Sequence, residues 1–162
     1  MPVKSLLAPK TEQMLNAAIE AELYASNLYK HVANHMQRLG YFGAQKFFLA
    51  EAGHELGHYQ ALVGYINDRG SMAGMPAIPA INEACGGLRD ALEIAFETEL
   101  ELERDYVKWF KACDCEITRQ FLLQFLEIQR KAVGEFGDLI SRLDRCGTDN
   151  AALLMLDKEL GE

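Results

Sequence analysis

Apolar positions recur at spacings of three and four along four long stretches of the chain and one short one, the pattern of amphipathic helices. The first predicted helix covers about 11–39, with an inward stripe of Leu15, Ile19, Glu22, Ser26, Tyr29, Val32 and Met36. Pro9 and Thr11 suit its start and Gly40 its end. The second covers about 42–68 and closes at Gly70, with Phe48, Glu51, Glu55, His58, Leu62 and Tyr65 inward. The third, about 88–112, turns Leu92, Phe96, Glu99, Leu102, Tyr106 and Phe110 inward. A tight turn near Cys113 to Glu116 leads to the fourth, 116–144, with Leu122, Phe125, Gln129, Ala132, Phe136, Leu139 and Leu143 inward. A short fifth helix, 149–160, carries Leu153, Leu154 and Leu156.

Both hairpin turns are short, so helices one and two, and three and four, should run antiparallel. Residues 70–87, GSMAGMPAIPAINEACGG, are long enough to cross the length of a bundle. The expectation is an all-α, single-domain chain over 1–162: a four-helix bundle with one long crossover and a short C-terminal helix. No segment reads as a strand, and no repeat is present.

Composition narrows the function. The 162 residues are 49% hydrophobic and 25% charged, as expected of a soluble globular chain with a real core. The net charge of −8 disfavours nucleic acid and anionic membranes as partners and suits cations. No run reaches the roughly 20 apolar residues of a membrane span. The apolar part of MPVKSLLAPK is too short for a secretory signal, which points to the cytoplasm. Cys85, Cys113, Cys115 and Cys146 form no C-x-x-C pair and read as reduced thiols.

The informative residues are polar ones inside the apolar stripes. Glu22, Glu55, His58, Glu99 and Gln129 each lie near the middle of their helix, so all four helices bring a polar group to one level of the core. Carboxylates converging there would repel one another and protonate unless cations neutralised them. A mostly oxygen set with one imidazole suits iron or manganese, and zinc also fits. Tyr29 lies on the same face as Glu22, where it could donate an electron, orient a ligand, or simply be a core tyrosine with a hydrogen-bond partner.

The string HELGH, 54–58, bears on the same question. Read as H-E-x-x-H it is a zinc-peptidase helix motif, with His54 and His58 as ligands and Glu55 as base. The metzincin continuation fails, because Ala61 and Gly64 stand where Gly and His are required. Read as E-x-x-H it is a di-iron motif, with His54 pointing to the flank. Gly53 and Gly57 each cost up to about 1 kcal/mol in a helix relative to Ala, which predicts a neighbouring backbone in close approach.

The chain resembles the bacterial non-haem ferritins over nearly its whole length. AELYASNLY (21–29), AEAGHELGH (50–58), AFETELELE (95–103), FLLQFLEIQ (121–129) and LLMLDKEL (153–160) resemble, in order, the family's helix signatures. The resemblance implies a ferritin-like bundle with a ferroxidase centre, a ligand pattern that belongs to the ferritin-like carboxylate proteins and is not a deduction from spacing. Glu22, Glu55 and His58 would hold one iron; Glu55, Glu99 and Gln129 would serve a second, with Glu55 bridging and Tyr29 beside them. Fe(II) would be oxidised by oxygen or peroxide, and ferric mineral would collect in a hollow 24-subunit shell.

The chain departs from the family in several places. Ile128, Lys131, Ala132 and His54 stand where acidic residues are common, which argues against a third iron site. Ala132 removes a second E-x-x-H, and Leu56 replaces the haem-ligating Met of bacterioferritins, so haem is not expected. The 113–116 turn is shorter than in the family, which puts the iron entry route in question. Cys113 and Cys115 there read as ordinary thiols or as a soft metal-transfer pair. Two other functions compete: a non-catalytic helical shell, and a rubrerythrin-like di-iron peroxidase.

Overall fold

The computed structural model describes residues 3–162. Five helices follow in order: α1 (Pro9–Leu39), α2 (Phe42–Asp68), α3 (Leu88–Ala112), α4 (Glu116–Cys146) and α5 (Asn150–Leu160). α1 pairs with α2 and α3 with α4, and residues 70–87 cross between the pairs without a helix of their own. The expected antiparallel hairpins and long crossover are therefore present. No strand occurs among the described residues, and no helix there is long and apolar enough to cross a membrane.

Helix ends shift by one or two residues from the expectation. α1 begins at Pro9, where a ring-fixed φ and a missing N–H cost nothing at the first helical position. It ends at Gly40, whose φ of +86° allows the N–H of Tyr41 to reach the carbonyl of Met36 at 2.9 Å. α4 continues to Cys146, two residues past the expected end, and stops at Gly147 with φ +56°. α5 starts after Asp149, whose side chain accepts from the N–H of Ala152 at 2.9 Å.

Every residue of the expected α1 stripe is buried. The stripes of the other helices are buried at their centres and half-exposed at Glu51, His58, Tyr65, Phe96, Phe110, Ala132 and Leu139. The apolar core divides into two compartments. One holds Val32, Met36, Phe48, Leu92 and Phe136; the other holds Leu15, Ile19, Leu62, Leu122 and Phe125. The mid-height polar residues lie between them.

α5 presents its leucines on different faces. Leu154 points to solvent, 53% exposed, while Leu156 is buried and Leu153 packs against the core edge. The residue beside Leu156 that turns inward is Asp157. Its carboxylate accepts from the N–H groups of Gly43 (3.2 Å) and Ala44 (2.7 Å), capping α2, which has no side-chain cap of its own. The close backbone approach expected at Gly53 and Gly57 is absent: a Cβ at either would meet nothing within 4 Å. It occurs instead at Gly43, where a Cβ would stand 1.8 Å from the carbonyl oxygen of Asp157. The helical-propensity cost at 53 and 57 has no packing explanation within the subunit.

Two substitutions test this docking. Gly43→Ala forces α5 away from α2 and should cost about 1–3 kcal/mol in chemical denaturation. Gly134→Ala, on an open face of α4, should be neutral or stabilising by up to about 1 kcal/mol.

Candidate metal centre

Between the two apolar compartments lies one polar layer. α1 supplies Glu22, α2 supplies Glu55 and His58, α3 supplies Glu99 and α4 supplies Gln129; all but half-buried His58 are fully buried. Ligand atoms of Glu22, Glu55 and His58 lie within 4.8 Å of one another. His58 Nδ1 is 3.1 Å from Glu55 Oε2 and 3.4 Å from Glu22 Oε2. Opposite them, the Gln129 amide nitrogen donates to Glu99 Oε2 at 2.8 Å and to the Glu99 backbone carbonyl at 3.3 Å. That pairing fixes which end of the amide is nitrogen, since an oxygen there would face two acceptors. The Gln129 oxygen is left aimed away from Glu99.

Two tyrosines complete the layer, and they cross. Tyr29 of α1 donates its hydroxyl to Glu99 Oε1 of α3, while Tyr106 of α3 donates to Glu22 Oε1 of α1. Each ring is anchored in a different apolar compartment: Tyr29 against Phe48 and Phe136, Tyr106 stacked on Phe125 at 4.8 Å. Tyr29 thus lies in the layer as expected, with Glu99 rather than Glu22 as its partner. Tyr106 was read only as a core position. The signal was there, because each tyrosine follows its helix's glutamate by seven residues, Glu22 to Tyr29 and Glu99 to Tyr106.

The HELGH segment divides between two faces. Glu55 and His58 turn inward; the His54 side chain is 66% exposed and pairs with Glu51 at 3.2 Å. His54 stays outside the cluster, so the two-histidine arrangement of a zinc peptidase is not formed. A cavity of about 250 Å³ reaches Glu55, His58 and Glu99 from the surface, its mouth flanked by Glu51, His54, Lys131 and Glu135. Ile128 and Ala132 contribute apolar wall there. Glu51 belongs to this approach and was not singled out as a site residue from sequence.

The layer fits a cation on the evidence of its own atoms. Glu22 Oε2 and the Gln129 oxygen are buried without a hydrogen-bond donor, and such acceptors need a donor or a positive ion. Five oxygen- or nitrogen-bearing side chains with no sulfur suit iron or manganese, and also zinc.

Without a cation, protons must do the compensation. Burial pushes Glu55 up, and the neighbouring Glu22 and Glu99 add to it, to about 10 against an opposing hydrogen bond from His58. Burial would lower His58, but Glu22 and Glu55 outweigh it and raise the imidazole to about 10. Burial also opposes ionisation of Glu22, yet His58, Glu55 and Tyr106 together hold it below the usual carboxylate range. Burial raises Glu99, with Tyr29 and Gln129 pulling the other way. On one side of the layer, therefore, an ionised Glu22 faces an imidazolium and Glu55 keeps its proton.

The sequence matches the ferritin-like domain family over residues 12–146. It is 34% identical to a ferritin of Pacifastacus leniusculus, covering 90% of this chain and 84% of that protein. It is 29% identical to the bacterial non-heme ferritin of Staphylococcus aureus, covering 96% of each. Among solved structures, an open pore ferritin from Archaeoglobus fulgidus superposes with a TM-score of 0.92 at 25% identity, covering 96% of this chain and 98% of that one.

The protonation pattern sets a pH dependence. A group whose folded value is raised contributes stability that is present below its unfolded value and lost as pH climbs through the folded one. The metal-free protein should therefore lose stability from about pH 4.5 through Glu55, and from about pH 6.5 through His58 as well, up to about pH 10. A divalent cation must displace those protons to bind. Proton release should accompany binding at neutral pH, read by calorimetry in buffers of differing ionisation enthalpy, and the alkaline slope should flatten in denaturation curves. An unchanged slope with cation present would place the bound ion elsewhere.

Proposed function

Because the chain belongs to the ferritin-like domain family, we propose that it oxidises Fe(II) within the subunit and stores the ferric product inside a cage of many copies. The observation that carries this reading is the polar layer itself. Glu22, Glu55 and His58 cluster on one side, Glu99 and Gln129 pair on the other, and each side keeps one buried acceptor oxygen without a donor.

In this reading iron is substrate. The acidic pair Glu51 and Glu135 at the cavity mouth favours entry of a cation over an anion. Glu22, Glu55 and His58 take one Fe(II); Glu55, Glu99 and Gln129 take the second, with Glu55 shared. Ionisation of Glu55 and loss of the His58 proton accompany binding, which turns a proton-compensated cluster into a ligand set. Tyr106 and Tyr29 hold the Glu22 and Glu99 carboxylates in place by donating to their Oε1 atoms. Each Fe(II) gives up one electron. The pair of electrons, with two protons, converts one O₂ to H₂O₂, or one H₂O₂ to two waters.

Assembly into a 24-subunit cage in the cytoplasm accompanies this function. It draws support from the relatives named as ferritins, with which the chain aligns almost end to end.

Stopped-flow absorbance after mixing Fe(II) with aerobic protein should show a fast ferric phase. Glu55→Ala should reduce it to the rate of iron in buffer, and Tyr106→Phe should slow it by about 10–100-fold. The absence of a fast phase in the unaltered protein would make it a non-catalytic shell. A large preference for peroxide over oxygen, with a small oligomer in size exclusion, would make it a peroxidase and remove storage.

A further inference from the structure

Outside the polar layer, three lone-pair-bearing atoms meet around a single shared hydrogen. His31 and His35 stand one turn apart on α1, so their rings share a face. Their Nε2 atoms are 3.2 Å apart, and the rings meet edge to face with centroids 4.6 Å apart. The backbone carbonyl oxygen of Glu83, in the crossover, lies 2.8 Å from His31 Nε2.

A carbonyl only accepts, so a hydrogen on His31 Nε2 must serve it. His35 Nε2 is then left, at best, the weaker arm of that one shared hydrogen. If His31 Nε2 carries no hydrogen, its lone pair faces the carbonyl's. A cation at the meeting point would use a lone pair from all three atoms.

We propose that His31, His35 and the Glu83 carbonyl bind a divalent transition ion of the zinc or copper class. Imidazole nitrogens bind zinc at about 2.0–2.1 Å, so two on one ion stand about 3.1–3.4 Å apart at near-tetrahedral angles; the observed separation falls inside that span. Imidazole ligands favour copper and zinc over magnesium or calcium. An adjoining groove of about 340 Å³, lined by Glu83, Glu93, Glu97 and Glu101, carries the negative potential that gathers cations. Both histidines are half-exposed, and neither belongs to the Glu22–Glu55–His58 cluster. A bound ion ties the helix-free crossover to α1.

The test counts ions on the full chain. In equilibrium dialysis with Zn²⁺, the unaltered protein should retain one ion per subunit more than His31→Gln or His35→Gln. With Cu²⁺, paramagnetic resonance should show two imidazole nitrogens on one ion. That signal should disappear in either variant and persist in His58→Gln, which alters only the central layer. Both histidines are half-exposed, so the variants should fold, as the helical circular dichroism signal would register. Equal ion counts in the three proteins, or a two-nitrogen copper signal that survives His35→Gln, would overturn the assignment.

Discussion

Acidic side chains held at mid-height in an apolar bundle are the constraint around which this molecule is arranged. Each of Glu22, Glu55 and Glu99 gives up hydration on folding, and nothing apolar nearby can replace it. The bundle answers by splitting its core. Two apolar compartments flank one polar layer, and each compartment sends a tyrosine hydroxyl across it. The carboxylates of α1 and α3 are thus oriented by rings packed far from the cavity. A packing change around Phe48 is felt at the layer through Tyr29, and one around Phe125 both through Tyr106 and directly through His58, whose ring it meets edge-on at 6.1 Å.

The same layer contains carboxyls pushed in opposite directions. Glu22 is held low and Glu55 is raised, although both are deeply buried and both touch His58. What separates them is the remaining company: Glu22 receives a hydroxyl from Tyr106, and Glu55 lies between two other carboxyls. The result is a layer that partly neutralises itself in the absence of a cation, the Glu22 carboxylate facing the His58 imidazolium and Glu55 keeping its proton. The fold can therefore form before any ion arrives, and binding becomes an exchange of protons for positive charge.

Much of this was legible in the sequence because helix period and layer height are local properties. Any residue spaced at three and four from a run of leucines shares their face, so the stripes of α1 to α4 and the level of Glu22, Glu55, Glu99 and Gln129 could be read directly. Contacts between elements could not. Asp157 looks like an ordinary exposed acid in a short helix, and its role appears only when α5 lies across the start of α2. Gly43 and Gly53 are indistinguishable as letters; only docking shows which one another backbone approaches. The crossed tyrosines were half visible: the repeated seven-residue spacing places each on its glutamate's face, but which glutamate it serves depends on how α1 lies against α3. His31 and His35 had no visible partner, because Glu83 sits in a crossover whose path has no period to read.

The two halves of the polar layer are not equivalent, and the difference bears on what it can do. One side offers two carboxylates and an imidazole. The other offers a carboxylate and a neutral amide, with Ala132 at the position where an imidazole would complete a matching set. A site that shares Glu55 and adds Glu99 and Gln129 would equal the first in carboxylates and lack only a nitrogen ligand of its own. In the proposed reading an ion there would be held more weakly, because a neutral amide oxygen takes the place of an imidazole nitrogen. Glu99 accepts from both Tyr29 and Gln129, so both its oxygens already have donors, whereas Glu22 accepts from Tyr106 on one oxygen and keeps the other without a hydrogen bond. Strong hold on one side with weak hold on the other suits a centre whose cargo moves on after oxidation, whereas a pair of equal sites would favour permanent occupancy. The proposed storage function asks for the former arrangement.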